Sequence, residues 1–368
     1  MTKVVAATTD VIRRRLANQF LTRSGPKRAS DVVRSLGAVQ AQDYAGAKWA
    51  LAQRTKGATD ADVERELSDG TILRTHVLRP TWHFVAPTDI RWMLALTAPR
   101  VNAAMAYYDR QLGLDATHFR RSNDALVNAL MGGNHLTRVE LAAALERAGV
   151  RVRSIRGAAP AIMRLMMRAE MDAVVCSGPR RGKQFSYALL DERVPPTTPL
   201  DRDEALLELA RRYFKTRGPA TANDFAWWSG LIAADVKRAL QIAQADLRQL
   251  SLGERDAWHI PRRLPKHTPS AHLLPNYDEY FIGYKDRSAV GERLGHSRPV
   301  IGGDASITHV IFVDGQLVGS WRRLSERDKT VLAIKKLSRL TPAETARITA
   351  ETKRLGTFLG APLTVRGL

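Results

Sequence analysis

Gly178-Pro179-Arg180-Arg181-Gly182-Lys183 sits between Ala173-Val174-Val175-Cys176-Ser177 and Gln184-Phe185-Ser186-Tyr187-Ala188-Leu189. Two short β-prone runs around a turn with two glycines and a proline predict a hairpin whose tip carries three cations. Upstream, Thr137-Arg138-Val139-Glu140 is a capping box that opens a helix over 138–148. The next helix, over about 158–170, carries Arg164 and Arg168 at i, i+4 on one face. Helices predicted over 89–112 and 123–131 come before them. Helices followed by a basic hairpin outline a winged helix. In that outline the helix of Arg164 and Arg168 is the recognition helix, and the tip is a wing suited to a phosphate backbone or minor groove. The competing reading of the tip is a solvated basic turn, because loop tips are commonly polar.

The same outline is legible on the N-terminal side. A helix over 9–21 stops at Ser24-Gly25-Pro26; a second runs over 29–37; a third contains Trp49, Leu51 and Ala52. A helix over 60–68, a turn at Asp69-Gly70 and a strand ending in Thr81-Trp82-His83-Phe84-Val85 complete the unit. Between its second and third helices lies Gly37-Ala38-Val39-Gln40-Ala41-Gln42-Asp43, with two amides in apolar company. In an extended segment Gln40 and Gln42 point to one side and face one cleft; in a continuous helix they lie about 200° apart. The bland alternative is two glutamines ending an amphipathic helix. A glutamine donates and accepts hydrogen bonds but takes no proton at neutral pH, so such a pair suits holding a water or a base edge rather than acting as a strong base.

Downstream, Pro195, Pro196 and Pro199 read as a linker. Helices over 203–214, 222–230 and a long one over 233–250 form a third unit. Strands over 273–283, 306–313 and 316–321, with the Asp314-Gly315 hairpin turn, form a small β unit closed by a helix over 342–355. The predicted division is 1–88, a winged helix carrying Gln-x-Gln; 89–198, a winged helix with the basic wing; 199–262, a third such unit; and 263–368, the β unit.

The 368 residues are 44% hydrophobic, enough for several cores, and carry 57 Lys and Arg against 37 Asp and Glu. The net charge of +20 points to a polyanionic partner, nucleic acid first, although an Arg-rich genome bias would raise the arginine count by itself. Cys176 is the single cysteine, which excludes an internal disulfide and a cysteine-built zinc site and fits a buried thiol in a reducing cytosol. No run approaches the roughly 20 apolar residues of a membrane span, and the hydrophobic region of a signal peptide is missing, so a cytoplasmic protein without membrane contact is expected. His-Glu-x-x-His, phosphate-loop and Gly-x-Ser-x-Gly patterns are absent, and neither metal nor cofactor is expected. His76 and His83 lie on or near strands, where a shared metal is the weaker reading. Asp278 and Glu279, in Pro275-Asn276-Tyr277-Asp278-Glu279-Tyr280, fit a divalent-metal pair of a nuclease, a catalytic carboxylate or a solvated strand face.

Five stretches in this order carry a family resemblance: Gln40-Ala41-Gln42; Arg79-Pro80-Thr81-Trp82-His83; the hairpin 178–183; Gly218-Pro219-Ala220-Thr221; and Leu274-Pro275-Asn276-Tyr277-Asp278-Glu279-Tyr280 with Tyr284-Lys285-Asp286-Arg287. Over nearly its whole length the chain resembles the tandem winged-helix DNA glycosylases of the AlkZ/YcaQ type. The resemblance implies an α+β, mainly α fold, with tandem winged-helix units and a small C-terminal β-barrel-like unit. It implies a monofunctional enzyme that excises alkylated purines of the N7-alkylguanine type from double-stranded DNA, with interstrand crosslinks as further substrates for some members. By the same resemblance Gln40 and Gln42 are the catalytic pair, with Thr81, His83, Asn276 and Asp278 lining the site. Arg180, Arg181, Lys183, Arg164 and Arg168 are then expected to grip the duplex, in a monomer associated with the nucleoid. Asp43, directly after the pair, is a carboxylate out of phase with it. Two alternatives stand beside this reading: a non-catalytic winged-helix DNA-binding regulator, and a metal-dependent nuclease built on Asp278 and Glu279.

Overall fold

The computed structural model describes residues 6–22, 25–152, 161–264, 266–295, 309–326 and 329–368. The chain packs as two compact units, Met1–Glu64 with Leu206–Leu368, and Arg65–Ala205. The fold is α+β and mainly helical.

The first unit opens with α1 (Thr8–Asn18), α2 (Ala29–Leu36), strand β1 (Ala38–Gln40) and α3 (Tyr44–Arg54), after which α4 (Asp60–Ser68) leads on. Gly37, at φ 82°, ends α2 in a conformation that a side chain would strain, and this turns the chain into β1. The extended reading of the glutamine segment therefore holds for Ala38–Gln40, and the reading as a helix end does not.

The second unit starts with an antiparallel hairpin of β2 (Leu73–Val77) and β3 (Arg79–Val85). It continues through α5 (Pro87–Leu112), α6 (Ala116–Leu130), β4 (Leu136–Thr137), α7 (Arg138–Arg147), α8 (Ala161–Met171), β5 (Val175–Ser177), β6 (Ser186–Leu189) and α9 (Leu190–Arg193). Both halves of the Thr137/Glu140 capping box form. α6 starts seven residues before the predicted 123 because Asp115 caps it, accepting the His118 N–H at 2.8 Å. The first residues of the helix expected over about 158–170 lie outside the described residues. Strands β4, β6 and β5 pair in that order, all antiparallel, over a core that includes Leu126, Leu141, Leu145, Leu165 and Val175. Helix, strand, helix, helix and hairpin, with the basic tip between the last two strands, is the element order of a winged helix.

The first unit resumes with α10 (Arg202–Arg217), α11 (Ala222–Ser229), α12 (Ala233–Ile242), β7 (Arg248–Leu252), β8 (Arg255–His259), β9 (Ala271–Leu274) and α13 (Glu279–Ile282). β10 (Val310–Val313), β11 (Gln316–Glu326), β12 (Lys329–Lys336), α14 (Pro342–Leu359) and β13 (Leu363–Arg366) follow. Two expectations change here. The helix predicted over 233–250 ends at Ile242, and Leu250 lies instead in β7, paired with β8 around Gly253 at φ 61°. The strand predicted over 273–283 stops at Leu274, because Pro275 cannot donate to a ladder and Asp278 caps a short helix. Residues 306–308 of the expected strand 306–313 lie outside the described residues. The Asp314-Gly315 turn forms, with φ 51° and 77°, as the two-residue type I′ turn demands.

The C-terminal β unit is an open sheet in the order β13-β12-β11-β10-β9, not a closed barrel. β9 and β13 are its edges, and β13 joins parallel to β12 only after α14 has crossed over. Ile12 and Leu16 of α1 pack into this end of the unit with Leu274, Tyr280, Phe312 and Leu317. Among the described residues no helix is long and apolar enough to cross a membrane.

Candidate active site

Gln40 ends β1 and is 6% exposed, whereas Gln42, in the bend before α3, is exposed. Asp43 is the N-cap of α3 and accepts the Gly46 N–H at 3.0 Å. The two amides thus stand between a strand and a capped helix, in different surroundings.

The backbone of that strand is held by a buried charge pair. Glu279 Oε1 accepts the main-chain N–H of Gln40 at 2.9 Å. Its Oε2 accepts Arg217 Nη2 at 2.5 Å, Arg217 Nε at 3.2 Å and Trp228 Nε1 at 2.9 Å. Arg217, fully buried, also donates to the carbonyls of Leu36 at 2.9 Å and Ala38 at 3.2 Å, and its guanidinium lies 4.3 Å from the Trp228 ring centre. Carbonyls on both sides of Gly37 and the N–H of Gln40 therefore converge on one Arg–Glu pair. Such a pair does little for net stability, since desolvation offsets its attraction, but removing one partner costs about 3–5 kcal/mol.

The neighbouring carboxylate fixes the other end of α3. Asp278 receives both Nη atoms of Arg54 at 2.8 Å, caps α13 through the Tyr280 N–H at 2.8 Å, and is 2% exposed. Arg54 also reaches Gln19 at 3.2 Å, whose amide donates to Tyr284 Oη at 3.1 Å. Asp278 and Glu279 are therefore neither a solvated strand face nor an open acidic pair, because Arg54, Arg217, Trp228 and the Gln40 N–H occupy their oxygens. Asp278 as a residue that touches DNA is corrected on the same ground. Asn276 is half-buried, and its main-chain N–H donates to Nδ1 of His309 at 2.9 Å. His309 stacks on Trp321 with ring centres 4.3 Å apart. Burial pushes its pKa below the ordinary histidine value; the Asp43 carboxylate opposes that, and Arg323 and Arg322 add to it. A neutral ring accepting at Nδ1 carries its proton on Nε2.

In the second unit Thr81 is half-buried on β3, and His83 is fully buried, with Nδ1 2.9 Å from the Thr81 carbonyl. His76 packs against the Glu170 carboxylate. At the tip of the basic hairpin Lys183 is exposed. Arg181 pairs with Glu140 at 2.7 and 2.8 Å, and Arg180 lies 5.2 Å from the centre of the Phe185 ring. Hydrogen bonds from Thr137 and then Arg181 pull the Glu140 pKa down to about 2. Arg168 pairs with Asp172 at 2.7 Å. Arg164 is corrected: it is 4% exposed, gives Nε and Nη2 to Asp109 at 2.5 and 2.9 Å, and joins α8 to α5 rather than facing a phosphate. Burial pushes the Cys176 thiol up to about 12, which keeps it protonated and unreactive.

Sequence reasoning missed Arg217, Trp228, Arg54 and His309. Arg217 lies three residues beyond the helix predicted over 203–214, just before Gly218-Pro219, and nothing local announces a partner 62 residues away.

A solved structure, the DNA glycosylase AlkZ of Streptomyces sahachiroi, aligns with a TM-score of 0.80 over 99% of this chain and 100% of that one, at 23% identity, so the fold is shared. The interstrand DNA cross-link repair glycosylase of Streptomyces sahachiroi is 25% identical over 325 residues, covering 83% of this chain and 85% of that protein. Residues 33–358 match the model of the AlkZ-like DNA glycosylase family, and the chain belongs to that family.

Proposed function

We propose that this protein is a DNA repair glycosylase that hydrolyses the N-glycosidic bond of cationic alkylated purines, of the N7-alkylguanine type, with a water held by Gln40 and Gln42. The observation that carries the reading is the clamp on β1: a strand fixed by buried Glu279 and Arg217 holds its side chains in place before substrate arrives.

The chemistry suits neutral amides. N7-alkylguanine is already cationic, so its C1′–N9 bond breaks with the electron pair passing to the base, which leaves neutral without a general acid. Water adds its oxygen to the oxocarbenium-like C1′ and gives its proton to solvent. Amide oxygens can orient that water and face the developing positive charge, an electrostatic role. Uracil and undamaged purines, which need leaving-group activation, are then poor substrates.

Family membership and the cross-link repair named for the Streptomyces relative support extending the substrate to interstrand crosslinks. The +20 charge and the exposed Lys183 support duplex DNA as the partner, gripped through its backbone. We read Thr81 and His83 as positioning residues rather than groups that touch the base, and the protein as a nucleoid-associated monomer.

Incubation with duplexes carrying N7-methylguanine, uracil or no lesion tests the proposal. Free base from the first alone is expected. Duplex binding with no base released from any of them refutes it; a preference of about 10³-fold or more for one undamaged sequence would favour a regulator instead.

A further inference from the structure

Beside Asp43 the first unit has a cavity of about 90 Å³, lined by Asp43, Trp49, His309, Trp321, Arg323 and Phe358. Its first lining residue, Asp43, follows Gln42 directly in the chain, so their Cα atoms lie about 3.8 Å apart. Its floor is aromatic: Trp321 stacks on His309, and Trp49 packs on Phe358 with ring centres 5.2 Å apart. Trp49 donates Nε1–H to the Leu273 carbonyl at 2.7 Å and Trp321 donates to the Leu274 carbonyl at 3.0 Å, which fixes both indoles. The one carboxylate on the wall is Asp43, itself oriented by the Gly46 N–H at 3.0 Å. Arg323 is exposed at the rim.

We propose that this cavity seats the alkyl group of the lesion and makes the enzyme selective for its shape. The inference rests on the base-release reading above and extends it to the specificity of the same site. Aromatic faces and a carboxylate attract a cationic purine. The uncharged His309 does not repel it, and Arg323 at the rim meets the phosphate of the same nucleotide. An undamaged guanine brings neither the positive charge nor the substituent. The cavity is smaller than the roughly 150 Å³ that holds a benzene ring, so it admits a methyl group or an unbranched chain and excludes an aryl group. A chain longer than the cavity, such as the tether of a crosslink, leaves through its open side.

Two substitutions of opposite sign test this. Ala45 is exposed and Leu359 half-buried, and both line the cavity. Single-turnover base release is measured on duplexes with N7-methylguanine or N7-benzylguanine, together with duplex affinity and the thermal midpoint of each variant. The wild type is expected to favour the methyl lesion by about 100-fold or more, in the range that one or two misfitting groups produce. Leu359→Ala should narrow that ratio at least about 10-fold. Ala45→Trp should slow release of N7-methylguanine at least about 10-fold with duplex affinity unchanged. An unchanged ratio in folded Leu359→Ala, or undiminished release by Ala45→Trp, overturns the assignment. Should the wild type release neither base, the glycosylase reading itself fails and this one with it; release of both at equal rates removes the cavity alone.

Discussion

Replacing Glu279 by glutamine strikes a group that, together with Arg217, joins the glutamine strand to the buried core. Glu279 is 1% exposed; one oxygen takes the Gln40 N–H, and the other takes Arg217 and Trp228. A glutamine has one accepting oxygen and one donating nitrogen. With the oxygen toward Arg217 and Trp228, its NH₂ meets the Gln40 N–H; in the flipped orientation it meets the donors of Arg217 and Trp228 instead. Either way a buried donor is stranded, and Arg217 is left as an uncompensated buried cation. The expected cost is about 3–5 kcal/mol, read as a shift of the urea midpoint. At a urea concentration where both proteins are folded, base release per folded molecule should fall on the order of 100-fold, because the strand has lost its anchor. Arg217→Met combined with Glu279→Leu removes both charges and should recover most of the stability. It leaves the carbonyls of Leu36 and Ala38 and the N–H of Gln40 without these partners, so base release should stay low. A Glu279→Gln protein within about 1 kcal/mol of wild type, or one that is destabilised yet releases base at the normal rate, refutes the reasoning.

Other outcomes follow from the same geometry. A Cβ on Gly46 would lie 2.6 Å from Oδ2 of Asp43 and 3.0 Å from Cβ of Pro275; Gly46→Ala should displace the cap, cost about 1 kcal/mol and slow base release, as denaturation and single-turnover assays will show. Arg164→Met should lower stability with little change in duplex affinity, whereas Lys183→Gln should weaken all duplexes alike and reduce the salt slope by about 0.9. His272 is 4% exposed, and burial, then Arg54 and Arg354, push its pKa down to about 3. The unfolded chain therefore takes up this proton first as pH falls through about 6.5, and stability is lost from there down to the folded value. Between about pH 7.5 and 5.5 the wild type should lose about 1.4 kcal/mol more than His272→Leu, measured by urea titration at the two pH values.

What was legible in the sequence is what chain-local physics decides. The Thr137/Glu140 box, the Asp314-Gly315 turn and the basic tip at 180–183 each announce themselves within six residues, and each formed. The glutamine pair stood out because amides in apolar company need a reason, and Gly37 supplied the break that made the segment extended. Partnerships across the chain were not legible. Asp278 and Glu279 looked like free acids because Arg54 lies 224 residues and Arg217 62 residues away. Arg164 looked like a DNA contact because spacing gives a helix face but not what covers it, and Asp109 covers this one. The long helix expected over 233–250 hid β7, since Leu247, Leu250 and Leu252 satisfy helical and strand spacing about equally over so short a run. An open sheet and a closed barrel share one alternating pattern; α14, inserted between β12 and β13, and the parallel joining of β13 leave this sheet open.

The central claim is that two neutral amides, Gln40 at the end of the clamped strand and Gln42 in the bend after it, do the chemistry. Its most direct test is base release from a duplex with one N7-methylguanine by the wild type, Gln40→Ala and Gln42→Ala, with duplex affinity measured in parallel. The account predicts free base from the wild type, and a fall of about 10²–10³-fold in each variant, the scale for losing one stabilising group in a transition state, with affinity nearly unchanged. Variants that release base at the wild-type rate, or that lose affinity as steeply as activity, would contradict it.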